Sequence, residues 1–70
     1  MKKIESIVSG IVVKIMVQEG SVLSAGDEAL IVESMKMEIP LEVEVSGEVA
    51  EILVQEGDMV EEGQELIRLK

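Results

Sequence analysis

The hydrophobic pattern of this chain has the period of a β-strand. Leu41-Glu42-Val43-Glu44-Val45 alternates strictly between apolar and acidic residues, and Ile11, Val13, Ile15 and Val17 mark one face of another run. The pattern also repeats. An offset of 37 places Val8-Ser9-Gly10 on Val45-Ser46-Gly47 and Val17-Gln18-Glu19-Gly20 on Val54-Gln55-Glu56-Gly57, without a gap. Val12 falls on Val49, Ile15 on Ile52, Glu28 on Glu65, and all six glycines pair with one another. Two copies are too few for a solenoid, which stacks about three or more units, so the repeat predicts one pseudo-symmetric domain spanning residues 1–70. Strands are predicted near 4 to 8, 11 to 17, 29 to 34, 37 to 45, 48 to 54 and 65 to 70, with short extended pieces at 21 to 23 and 58 to 60. Gly20, Gly26, Gly57 and Gly63 each sit in a short polar cluster and read as turns. No helix is required. The expected fold is all-β: a flattened barrel-sandwich of two small antiparallel sheets related by a pseudo-two-fold repeat, with edges closed by strands exchanged between the halves.

Composition agrees and narrows the chemistry. Seventy residues lie near the lower limit for a core without disulfide or metal, and with no Phe, Trp or Tyr the core must come from Val, Ile, Leu, Met and Ala. Branching at Cβ suits these residues to pleated strands. The absence of Cys and His removes thiolate and imidazole metal sites, disulfides, and nucleophilic machinery that depends on either residue. A net charge of −9 offers nothing to phosphate backbones or anionic membranes, and without aromatics base stacking is unavailable, so neither nucleic acid nor membrane is expected as a partner. The longest apolar run, Ala29 to Val32, is far short of the roughly 20 residues of a membrane span. A cytoplasmic location is the resulting expectation.

One segment breaks the local rules. Ala29-Leu30-Ile31-Val32-Glu33-Ser34-Met35-Lys36-Met37-Glu38-Ile39-Pro40-Leu41 contains two strands with a reversal between them. A two-residue hairpin loop normally takes Asn-Gly, Asp-Gly or Gly-X because its central residues adopt positive φ. Here the middle is Met-Lys-Met, with no Gly, Asn or Asp from Glu28 to Met37. Local chemistry that contradicts the fold is expected chiefly at functional sites. Taken singly, a methionine is a flexible core filler and a lysine a solubilising charge. At an expected loop tip, Met35 and Met37 alternate with Lys36, and at least one should face solvent as adaptable recognition surface. Lys36 shifted by 37 lands beyond either terminus, which predicts that it and the chain ends occupy opposite poles.

Glu33-Ser34-Met35-Lys36-Met37 resembles the Glu-Ala-Met-Lys-Met signature of biotinyl domains, with Ser34 in place of the usual Ala. The resemblance covers nearly the whole chain, since Gly10, Gly20, Gly26, Gly47, Gly57 and Gly63 match that family's repeated strand and turn pattern. It implies the biotinyl/lipoyl fold, biotin joined by an amide to the Lys36 ε-amine, and recognition of Met35, Met37, Glu33 and Ser34 by the modifying ligase or later partners. It further implies a non-catalytic biotin carboxyl carrier, loaded by a biotin protein ligase and serving a biotin carboxylase and a carboxyltransferase. Without a thumb insertion between the second and third strands or an Ala/Pro-rich tether before Ile4, the chain is most similar to free-standing biotin/lipoyl attachment proteins; an excised carboxylase domain would look much the same.

Two alternatives share parts of this pattern. A lipoyl carrier for acyl transfer has the same fold and a hairpin lysine, but usually carries Asp or a small residue before the lysine and Ala after it, and a dual biotin/lipoyl acceptor is also compatible. An unmodified adaptor module, of the kind embedded in long helical transport proteins, is the reading from another class. Paired acids such as Glu61 and Glu62 read as turn residues.

Overall fold

The computed structural model describes residues 2–70, and among them there is no helix. Eight strands are present: β1 (Lys3–Glu5), β2 (Gly10–Ile15), β3 (Val22–Leu23), β4 (Glu28–Ser34), β5 (Met37–Glu42), β6 (Gly47–Ile52), β7 (Met59–Val60) and β8 (Glu65–Leu69). They form two antiparallel four-stranded sheets, ordered β1-β8-β6-β3 and β5-β4-β2-β7. The 37-residue offset carries β1 onto the second half of β5, β2 onto β6, β3 onto β7 and β4 onto β8, so the sheets exchange under the pseudo-two-fold. In each sheet the central pair comes from one repeat and both edge strands from the other. That exchange ties the two copies into a single core.

The core follows the same symmetry. Its buried residues include the pairs Ile4 and Leu41, Val12 and Val49, Leu23 and Val60, Ala29 and Leu66, Leu30 and Ile67, and Val32 and Leu69. All are aliphatic, and no methionine is among them. One buried position changes chemistry between the copies: Ser6 stands where its mate is Val43, and its hydroxyl donates to the Val8 carbonyl.

Four turns of one design link the strands. Gly20, Gly26, Gly57 and Gly63 have φ of 91°, 96°, 95° and 87°, each at the third position of a four-residue turn, where a side chain would be strained. The fourth residue closes each turn with its own side chain: Ser21, Asp27, Asp58 and Gln64 accept from the N–H of Gln18, Ser24, Gln55 and Glu61 at 2.9–3.1 Å. The glycine amides reach across to distant carbonyls, Gly20 to Val49 and Gly57 to Val12, which are again symmetry mates.

The face expected for residues 11 to 17 is corrected by a bulge. Val12 is the fully buried residue, whereas Ile11 and Val13 are exposed. The β2–β4 register shifts between Val12 and Lys14, which reverses the parity, so that Ile15 and Val17 turn toward the core only after it. The matching shift in β6–β8 lies between Val49 and Glu51. Strand limits differ as well. The first strand ends at Glu5 instead of 8, because Ser6 turns the chain, and β5 ends at Glu42 instead of 45, because the Val43 N–H leaves the ladder to donate to the Asp27 carbonyl at 2.8 Å.

Candidate functional site

The β4–β5 hairpin is the longest pairing in the molecule, running from Glu28 opposite Glu42 to Ser34 opposite Met37. Leu30, Val32 and Leu41 anchor it in the core, and Ile39 packs against them. Ser34 and Met37 being partners, only Met35 and Lys36 remain for the reversal. Their φ values are 51° and 64°, both left-handed, as a two-residue type I′ hairpin demands. For non-glycine residues this conformation costs on the order of 1 kcal/mol each, and the long anchored ladder imposes it. The unsuitable turn chemistry read in the sequence is thus present as backbone strain at the tip.

Met35 is 93% exposed and Met37 62% exposed. Lys36 is also exposed, and among the described residues its ammonium has no salt bridge or hydrogen bond. Of the other cations, Lys2 donates to the Ser46 carbonyl, Lys3 pairs with Glu5, Arg68 with Glu51 and Glu65, and Lys70 with Glu48, leaving only Lys14 in a comparable state. Glu33 and Ser34 fall in the same end of the hairpin: Ser34 is half-buried at the loop base, while Glu33 is exposed opposite Glu38. The structure therefore gathers all five sequence-predicted site residues at one tip.

The hairpin is strongly acidic. Glu33 faces Glu38 and Glu28 faces Glu42 across the ladder, like charges in register with no basic partner among the described residues. The basic residues near the chain ends are at the other pole. From the tip β5 runs about 17 Å to Glu42; beyond it the Ser46 carbonyl accepts from Lys2 Nζ at 2.8 Å, and the Leu69 N–H donates to the Lys2 carbonyl at 2.9 Å. An open cleft of about 540 Å³ also lies away from the tip, between the edges of β1 and β5, lined by Ile4, Ile7, Pro40 and Val43 among others. It does not include Lys36. Among the described residues no three acids gather into a metal site.

Three residues support the tip in a way the sequence did not connect with it. Gly10 lies against the Glu33 backbone at the base of the tip. Ile11 pairs with Glu33 on one side and with Met59 on the other, extending an exposed row from the hairpin across the sheet. The available signal was a mismatch between repeats, because the mate of Ile11 is the charged Glu48.

A covalently tethered group fits this arrangement. The Lys36 amine has no partner among the described residues, and the loop is held by the strands on either side of it. Comparison with known proteins agrees. The chain is similar to the urea carboxylase of Kluyveromyces lactis, with 33% identity and a TM-score of 0.91 over 99% of this chain and 6% of that one. It is also similar to a single-chain, multi-domain long-chain acyl-CoA carboxylase, with 27% identity and a TM-score of 0.88 over 94% of this chain and 7% of that one. No curated protein matches by sequence. The family model described as "Biotin-requiring enzyme" matches residues 2–69, and the chain belongs to that biotin/lipoyl attachment family.

Proposed function

We propose that Lys36 is the attachment point of biotin and that the domain is a non-catalytic biotin carboxyl carrier. The observation that carries this reading is the tip itself: an unpaired lysine in a strained two-residue loop between two exposed methionines. Likeness to carboxylases favours biotin over lipoate. Acylation by a biotin protein ligase joins the biotin carboxyl carbon to Nζ, displaces the activating group and releases a proton from the amine. The formal charge of the chain goes from −9 to −10.

Attached biotin supplies a ring nitrogen that accepts a carboxyl group at a biotin carboxylase and yields it at a carboxyltransferase. The chain's own residues supply position. The β4–β5 ladder presents Nζ beyond the body of the domain, and tethering keeps the group at high local concentration near either partner. Met35 and Met37 give the ligase and the carboxylase components an adaptable apolar contact beside the acceptor, with Glu33 and Ser34 completing the contact. The unpaired carboxylates of the hairpin complement a basic rim on those partners.

Streptavidin blotting of wild type and Lys36→Arg, co-expressed with a biotin ligase, tests the reading. Signal in the wild type alone supports it, signal in both moves the site elsewhere, and signal in neither favours the unmodified adaptor. A lipoyl carrier is the alternative that the family admits, and lipoylation of Lys36 without biotinylation would select it.

A further inference from the structure

With no cysteine, the sulfur chemistry of this chain belongs to its five methionines. Met1 lies outside the described residues. Met16 is 38% exposed, Met37 62%, Met59 81% and Met35 93%, and none of these four is in the core. Core thioethers are shielded from oxidants; these are open to them. Two of the three most exposed flank Lys36 directly, at a tip whose shape is set by the strand ladder and not by the methionine side chains.

We propose that Met35 and Met37 are an oxidation site for peroxides, and that their conversion to sulfoxides switches off acylation of Lys36. This rests on the reading of Lys36 as an acylated residue. In the step, the thioether sulfur attacks one oxygen of hydrogen peroxide, the O–O bond breaks, and a sulfur–oxygen bond forms. Sulfur loses two electrons, the peroxide is reduced to water, and no net proton is taken up: thioether plus hydrogen peroxide gives sulfoxide plus water. The product is polar and chiral where the thioether was flexible and apolar. A partner surface built to cover methionine would then have to bury an unpartnered sulfoxide oxygen, which lowers complex formation roughly 10- to 100-fold. The fold is untouched, because no described methionine packs in the core. Methionine sulfoxide reductases, one for each sulfoxide epimer, reverse the change.

The test treats the full chain with hydrogen peroxide, maps sulfoxides by peptide mass spectrometry, checks folding by thermal melting, and then measures the rate of biotinylation by a biotin ligase. Met59→Leu is used as the background, to remove the other highly exposed thioether. Sulfoxides are expected at Met35 and Met37 before Met16, with an unchanged melt, a roughly 10- to 100-fold lower acylation rate and recovery after treatment with both reductases. Adding Met35→Leu and Met37→Leu should make the rate after peroxide equal to that variant's own untreated rate. The proposal is overturned if doubly oxidised protein is acylated at the untreated rate, if the Leu variant loses as much as its parent, or if the two methionines resist oxidation. Failure of the untreated wild type to be acylated would instead overturn the acceptor reading, and it is distinguishable because it precedes any oxidant.

Discussion

Gly10 packs directly on the backbone of Glu33: a Cβ at Gly10 would collide with the Glu33 carbonyl oxygen and stand 2.9 Å from Cγ1 of Val32. Its mate Gly47 is less confined, with the nearest atom the Leu69 side-chain Cδ1 at 3.3 Å and no backbone atom among the closest. Gly10→Ala should therefore destabilise the domain by about 3 kcal/mol, the upper part of the usual overpacking range, and Gly47→Ala by less than about 1 kcal/mol. Urea unfolding of the two variants checks the difference. The Gly10 variant should also slow Lys36 labelling, since it displaces the base of the tip.

The strained loop predicts an exchange of function for stability. Replacing Met35-Lys36 by the sequence best suited to a type I′ turn, through Met35→Asn with Lys36→Gly, should raise stability by about 1–2 kcal/mol while abolishing modification. Chemical denaturation with a labelling assay reads both. A stability equal to or below wild type would mean that the tip conformation carries no strain.

Lys14 separates accessibility from position. Like Lys36 it is exposed and has no partner among the described residues, but it lies within β2 opposite Ile31. Lys14→Arg should leave biotinylation within about twofold of wild type and Lys36→Arg should eliminate it, as peptide mapping would show. Labelling of Lys14 in the Lys36 variant would indicate that exposure alone selects the site.

The methionines should matter for recognition and not for folding. Met35→Ala with Met37→Ala is expected to change stability by less than about 0.5 kcal/mol, as for other exposed positions, whereas Leu30→Ala, fully buried, should cost about 2–5 kcal/mol. The methionine variant should lose about tenfold or more in ligation efficiency, the usual scale for truncating a central contact. Thermal melts beside ligation kinetics decide between a core role and a docking role.

Much of this was legible in the sequence because the two repeats constrain each other. The repeated succession of strands along the chain, the four glycine turns and the exchange of strands between the halves were read from the offset of 37, and the misfit of Met35 and Lys36 to their turn marked the tip. What stayed hidden depends on long-range geometry. The bulge beside Val13 reverses which residues face inward, so alternation alone put Ile11 and Val13 on one face with Ile15 and Val17, although only the latter two turn toward the core. Strict alternation through Val45 also hid the end of β5 at Glu42, since Val43 still packs in the core while its N–H donates to the Asp27 carbonyl, outside β4. Gly10 and Gly47 are equivalent in the repeat, yet only Gly10 meets a backbone carbonyl, a difference that only the packed sheets create.

Attachment of biotin to Lys36 is decided by the intact mass of the full chain after incubation with a biotin ligase, biotin and ATP, beside a parallel reaction with a lipoate ligase and lipoate. One biotinyl group per chain is expected, mapped to Lys36 and absent from Lys36→Arg. An unchanged mass with active ligase, a label at another residue, or lipoylation without biotinylation would rule out Lys36 as a biotin carrier site.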